Sequence, residues 1–211
     1  FVKDQQNMSS IKPSIPKGTR DFSPVVISKR NYLKAQLASV FESFGFQPIE
    51  TPSFERSETL LGKYGEEGDR LIFKILNSGE KIKNIDLQAF QNGELSKFSN
   101  SLSQKALRYD LTVPFSRYVA QYQNDIIFPF RRYQMQTVWR ADRPQHGRFQ
   151  EFLQCDADVV GERSLWNEVE GILLYDRAFT MLDLKGVQVH LNHRKILAGV
   201  AQFIGAESQF I

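Results

Sequence analysis

The stretch Trp139-Arg-Ala-Asp-Arg-Pro-Gln-His-Gly-Arg-Phe-Gln-Glu-Phe-Leu-Gln-Cys-Asp-Ala-Asp-Val-Val-Gly161 decides the fold. It joins two strand candidates, Phe130 to Trp139 and Phe149 to Val160, through a loop of about nine residues holding Asp142, Pro144 and Gly147. That pattern predicts an antiparallel hairpin with an over-long basic tip. Period-two alternation puts Gln150, Phe152, Gln154, Asp156 and Asp158 on one face, and Phe149, Leu153, Cys155 and Ala157 on the other. The apolar set is expected to face the core, with Cys155 as a small core residue. Alone, the polar face reads equally well as solvated surface. Arg140, Arg143 and Arg148, however, sit where the loop can fold back over it. Guanidinium forks match phosphate oxygens in pairs and never lose their charge, so the cluster suits a polyphosphate.

Upstream, Val25 to Phe44 has helical spacing with Gly45 as its stop. Phe46 to Thr51 reads as a short strand cut by Pro52, and Leu71 to Leu76 as another. Residues 77–105, rich in Asn, Ser, Gln and Lys, suit a surface insertion, expected to be mobile. A strand near Leu107 and a helix around Thr112 to Gln121 follow. Beyond the hairpin, Leu165 to Leu182 reads as a helix with Ser164 as cap and Gly186 as stop. Val187 to Leu191 reads as a strand, and Lys195 to Ile204 as a helix capped by Asn192. Trp139 and Trp166 are read as core anchors. The long hairpin makes the expected class α+β, a mainly antiparallel sheet flanked by helices.

At 211 residues, 41% hydrophobic and 24% charged, the chain has the composition of a globular protein. A chain of this size buries roughly 70% of its unfolded surface. No apolar run approaches the roughly 20 residues that span a bilayer. Residues 1–16 are read as a flexible leader, with Met8 a candidate start, and they lack a secretory layout, so cytoplasmic residence is expected. The single cysteine excludes an internal disulfide, and three scattered histidines offer no metal-ligand spacing. A net charge of +3 leaves nucleic acid open as a partner.

Leu107-Arg-Tyr-Asp-Leu-Thr-Val-Pro114 is the second cluster. Asp110 or Thr112 can simply cap a helix with Pro114 in its first turn. Alternatively, Asp110 accepts hydrogen bonds from an ammonium group, with Thr112 beside it. His190 and His193 read as structural, at a strand and a helix start, and His146 as a loop residue that contacts RNA, phosphate or solvent.

Four segments in order, Lys17-Gly-Thr-Arg-Asp-Phe-Ser-Pro24, Leu107 to Pro114, Trp139 to Gly161 and Leu191-Asn-His-Arg-Lys-Ile-Leu197, together resemble the catalytic core of histidyl-tRNA synthetases. The resemblance implies a dimeric class II aminoacyl-tRNA synthetase core over residues 17–211 that joins histidine to ATP, with Mg²⁺, and then to tRNA(His). The first helix, the strand after it and Pro52 resemble the first class II motif, and the Arg140 hairpin the second. Carried over, Arg140 grips the α-phosphate and the histidine carboxylate, Asp142 sits near the adenine amine, Phe152 stacks on the ring, and Arg148 reaches the outer phosphates. Asp110, Thr112 and Gln154 hold the α-amino end, and Asp158 faces the imidazole. Asp158→Ala is then expected to abolish histidine affinity with little loss of stability.

The sequence ends at Ile211, before the family's later histidine-specific segment, third motif and anticodon-reading domain, so this piece alone is expected to turn over poorly. Two alternatives stay open. One is a synthetase-like regulatory subunit of ATP phosphoribosyltransferase, which needs the amino-acid pocket without the phosphate grip. The other is a non-catalytic module whose basic hairpin binds nucleic acid.

Overall fold

The computed structural model describes residues 12–206. Most of the expected leader, residues 1–11, lies outside them, and residues 12–16 have no regular structure. Two compact units divide between Arg163 and Ser164. In chain order the first holds α1 (Pro24–Ser43), β1 (Gln47–Pro48), β2 (Phe54–Arg56), α2 (Ser57–Leu60), α3 (Gly65–Arg70), β3 (Lys74–Ile75) and a 3-10 helix (Gly79–Asn84). It continues with α4 (Leu87–Gln91), α5 (Leu95–Leu102), β4 (Lys105–Leu107), α6 (Thr112–Tyr122), β5 (Phe130–Trp139) and β6 (Glu151–Val160). The second unit holds α7 (Trp166–Met181) and α8 (Arg194–Phe203).

The predicted hairpin forms over ten consecutive pairs, from Phe130 opposite Val160 to Trp139 opposite Glu151. β1 adds to β5 in parallel, with Gln47 opposite Arg132. A second, antiparallel sheet has the order β2-β4-β3. The α+β expectation holds, since every strand pair except β1 with β5 is antiparallel.

α1 starts where Ser23 Oγ accepts from Val26 N and Pro24 takes the first position, whose missing N–H has no helical partner to lose. Its buried residues, Val40 and Phe41, lie toward its C-terminal end, and the Phe41 ring stands 5.2 Å from Tyr133 of β5. Tyr133 marks the sheet face that α1 covers.

The opposite face departs from expectation. Arg132 and Gln134 on β5 are fully buried; Asp158 and Asp156 opposite them on β6, and Gln154 opposite Gln136, are partly buried. Cys155 and Ala157, expected in the core, are exposed. The reason is lateral: β6 is an edge strand, while α1 packs one strand away on Tyr133. The polar row gains cover because α6 lies against it, with Phe115 6.2 Å from Phe130 and under the Arg132 guanidinium at 4.3 Å.

Arg108, 2% exposed, ties the parts of this unit together. It donates to the carbonyls of Thr51 (2.7 Å), Pro52 (3.2 Å) and Thr137 (2.7 Å), and to Gln136 Oε1 (3.1 Å). Buried carbonyls left without donors are costly, so this one guanidinium fixes the segment after β1 against the middle of β5.

Several other expectations need correction. The strand at 71–76 is only Lys74–Ile75, because β4 supplies just two partners there. Residues 77–105 carry the 3-10 helix, α4 and α5, with Ala89 buried and the Phe90 and Phe98 rings 5.0 Å apart. In the second unit, Asp183 at φ 52 ends α7 ahead of Gly186. Residues 187–191 form no strand, since no ladder partner exists among the described residues. His193, not Asn192, caps α8, its Nδ1 accepting from Lys195 N at 3.1 Å. Trp166 sits exposed at the first residue of α7.

Candidate active site

The hairpin loop is rooted by backbone bonds. Arg140 N donates to Gln150 O (2.9 Å), and Gln150 N donates to Gly18 O (2.8 Å). Gly18 has φ +85, and a Cβ there would lie 2.8 Å from Gln150 Cγ, so the segment before α1 can approach the hairpin this closely only with glycine. Gln150 Nε2 also holds Asp142 O at 2.9 Å, and the tip turns tightly through the Gln145–Arg148 bridge, with Gly147 at φ 76.

Four residues expected to meet a nucleotide, Arg140, Asp142, Arg148 and Phe152, line one cleft of about 530 Å³. Arg20 and Phe149 line it too, with the Arg20 guanidinium 3.4 Å from the Phe149 ring centre. Arg148 Nε lies 3.3 Å from Asp142 Oδ2. Arg143 is exposed and does not line this cleft. Arginines beside an open aromatic ring suit a base joined to phosphates.

Arg140 stands at the inner end. Its guanidinium is 4.4 Å from the Tyr109 ring and 5.2 Å from the Phe152 ring, and its Nε donates to Tyr109 O at 3.2 Å. The neighbouring bond Trp139 N to Arg108 O (3.1 Å) brings the 107–114 segment alongside the strand end, placing Asp110 one residue from Arg140's contact. Asp110, one residue before the N-cap Leu111, does serve the first turn of α6, its Oδ1 accepting from Val113 N at 3.2 Å. The same oxygen also accepts from Tyr64 Oη at 2.7 Å, which a plain helix start does not require. Thr112 is exposed at the first residue of α6.

Along the polar face, Asp158 is ion-paired with the buried Arg132, and Gln154 Nε2 donates to both Asp156 oxygens at 2.9 and 3.0 Å. Burial lowers the Arg132 pKa, while Asp158, Asp156 and Asp110 pull it back up. Burial likewise raises the Asp156 pKa, against the Gln154 N–H and Arg132, with Asp158 and Asp110 adding to the rise. These carboxylates therefore share one guanidinium's field. Gln154 Oε1 and Arg132 Nε are buried without a hydrogen bond, so the row retains polar capacity for a ligand.

Sequence reasoning missed Arg20, Tyr64, Arg108 and Arg132. The one available signal was the adjacent Arg131-Arg132 pair inside a strand candidate. Among the described residues no three His, Cys, Asp or Glu side chains gather to hold a metal ion. None of the described helices is long and apolar enough to cross a membrane.

An antiparallel hairpin with its arginine loop over a polar strand face, backed by a long helix that leads into a short strand and Pro52, is the architecture of a class II aminoacyl-tRNA synthetase catalytic core. Within that class the chain belongs to the histidyl-tRNA synthetase family, whose sequence model matches residues 18–85 and 86–210. It is 63% identical over 200 residues to the histidine–tRNA ligase of Christiangramia forsetii, covering 95% of this chain and 44% of that one. A crystal structure of histidyl-tRNA synthetase from Nostoc sp. PCC 7120 matches with TM-score 0.72 and 32% identity, over 95% of this chain and 40% of that one. A structure described as an ATP phosphoribosyltransferase regulatory subunit/histidyl-tRNA synthetase from Bacillus halodurans C matches with TM-score 0.62 and 25% identity, over 81% and 39%. The chain thus spans under half the length of the proteins it matches.

Proposed function

We propose that this chain supplies part of the catalytic core of a histidine–tRNA ligase, with residues 17–211 as core and 77–105 as a surface insertion. In that reaction the histidine carboxylate attacks the α-phosphorus of ATP, releasing pyrophosphate, and the histidyl-adenylate then passes its acyl group to tRNA(His). The observation that carries the reading is the position of Arg140, between the aromatic end of the cleft and the segment bearing Asp110.

From there one guanidinium reaches both the α-phosphate and the attacking carboxylate. It neutralises charge that builds on the phosphate oxygens and lines up the two reactants. Phe152 offers a face for the adenine ring, Asp142 an acceptor for its amine, and Arg148 a charge for the outer phosphates. Asp110, Thr112 and Gln154 receive the α-ammonium end. Asp158, ion-paired with Arg132, accepts the imidazole N–H, and a side chain lacking that donor would leave a partly buried acceptor short of a partner. Mg²⁺ carried in with ATP would ask for few protein ligands and would neutralise charge on the departing pyrophosphate. The working assembly is a homodimer in the cytoplasm.

Thermal stabilisation by histidine, by ATP with Mg²⁺, and by both tests the proposal, because a ligand that binds only the folded state raises its stability. A joint shift larger than the sum of the separate shifts is expected. Stabilisation by histidine alone would instead favour the regulatory-subunit reading. Response to neither, with salt-sensitive RNA binding, would favour a nucleic-acid module.

A further inference from the structure

Tyr64 lies in a glycine-rich segment, between Gly62 and Gly65, and precedes α3. Gly62 N donates to Asp69 Oδ2 at 2.8 Å, closing the segment on itself. The Tyr64 ring packs with Tyr109 and Val113 on the buried cluster of Leu60, Ile72 and Ala106. Gly68 lies so near that a Cβ there would sit 2.3 Å from Tyr64 Cβ. The phenol is therefore held on three sides, and its hydroxyl is spent on Asp110.

Asp110 Oδ1 accepts two hydrogen bonds, from Tyr64 Oη and Val113 N, which fill its lone pairs and fix the carboxylate's rotation. Oδ2 takes no hydrogen bond from the described residues. The other side of the arrangement leads to the phosphate grip. The Tyr64 and Tyr109 ring centres are 4.8 Å apart, and Tyr109 carries Arg140 both on its ring and on its carbonyl. Burial and the Asp110 carboxylate push the Tyr64 phenol far above its ordinary pKa, so it remains a donor throughout the working pH range.

We infer that Tyr64 is a positioning residue that aims Asp110 Oδ2 at the amino acid's ammonium group and, through Tyr109, couples occupancy of that site to the placement of Arg140. This rests on the reading that Asp110 receives the ammonium. It adds a physical link between the ammonium site and the phosphate grip, beyond Arg140's own reach to both substrates.

The test is equilibrium binding of histidine and of ATP with Mg²⁺, each with and without the other, to the wild type and to Tyr64→Phe, Gly68→Ala and Asp110→Asn. Tyr64→Phe keeps the ring on Tyr109 and loses only the hydroxyl. It is expected to weaken histidine about tenfold, the usual scale for one hydrogen bond to a charged group. ATP affinity measured alone should hold, and the factor by which histidine tightens ATP should fall toward one. Gly68→Ala, which displaces Tyr64 without touching the pocket, should repeat that pattern. Unchanged histidine affinity in Tyr64→Phe, with Asp110→Asn strongly impaired, overturns the role of Tyr64 alone. Unchanged affinity in Asp110→Asn, or no histidine binding by the wild type, overturns the assignment of Asp110 and the inference with it.

Discussion

Replacing Asp158 by alanine strips the one ion-pair partner that the described residues offer a guanidinium whose side chain is 0% exposed, whereas replacing Arg132 leaves a carboxylate that is 37% exposed. The two deletions are therefore unequal. Removing one partner of a buried pair typically costs about 3–5 kcal/mol, because the survivor is charged and cut off from water. Here Asp156 and Asp110 still act on Arg132, Gln134 Oε1 accepts from it at 3.3 Å, and the open side of Asp158 screens the pair, so about 2–3 kcal/mol is expected. For a chain of this size that corresponds to a fall in Tm of about 5–10 °C. Arg132→Met keeps most of the volume and lets water reach Asp158, so about 1 kcal/mol or less is expected. Asp158→Ala is therefore expected to cost stability as well as histidine affinity, where the sequence alone suggests an intact fold, because Arg132 faces it across the strand pair. Thermal and urea unfolding of both variants, in parallel with histidine binding, decides the matter. Asp158→Ala within about 2 °C of wild type, or Arg132→Met the more damaging of the two, would refute the reasoning.

Two further outcomes follow from the same geometry. Gly18→Ala must adopt a left-handed backbone and crowd Gln150, so it should lose about 1–2 kcal/mol and weaken ATP more than histidine; equal weakening of both ligands would detach Gly18 from the nucleotide cleft. Asp156 has a raised pKa, so the folded state binds more protons than the unfolded one as pH climbs from the ordinary carboxylate range through the folded value, and its carboxyl destabilises the protein above that window. Asp156→Asn should accordingly gain stability relative to wild type as pH rises from about 4 to 7, and a gap that is constant or narrows in urea titrations would contradict this.

The hairpin was legible because its alternation and turn residues are local, and β5 and β6 fall within two residues of their expected bounds. Which face is buried was not legible from β6 alone. Polar residues at 154, 156 and 158 resemble a wet surface until the register sets Arg132 opposite Asp158 and Gln134 opposite Asp156. Cys155 was misread for the same reason, since cover over an edge strand depends on where α1, far earlier in the chain, comes to rest. Tyr64 lies 46 residues from Asp110, and no spacing rule connects them. Val187, Val189 and Leu191 alternate as a strand does, yet a ladder needs a partner, and none is present among the described residues. By contrast Arg140, Asp142, Arg148 and Phe152 could be grouped in advance, because one loop and one strand carry them all.

Binding of a nonhydrolysable histidyl-adenylate mimic, with a sulfamate in place of the phosphate, asks most directly whether the arginine cleft and the carboxylate row are one pocket. The account predicts that the mimic binds far more tightly than histidine or ATP alone. It also predicts that Arg140→Ala and Asp110→Ala, at opposite ends, each weaken it at least about tenfold. A mimic that binds no better than histidine, or that is indifferent to Arg140→Ala, would contradict it.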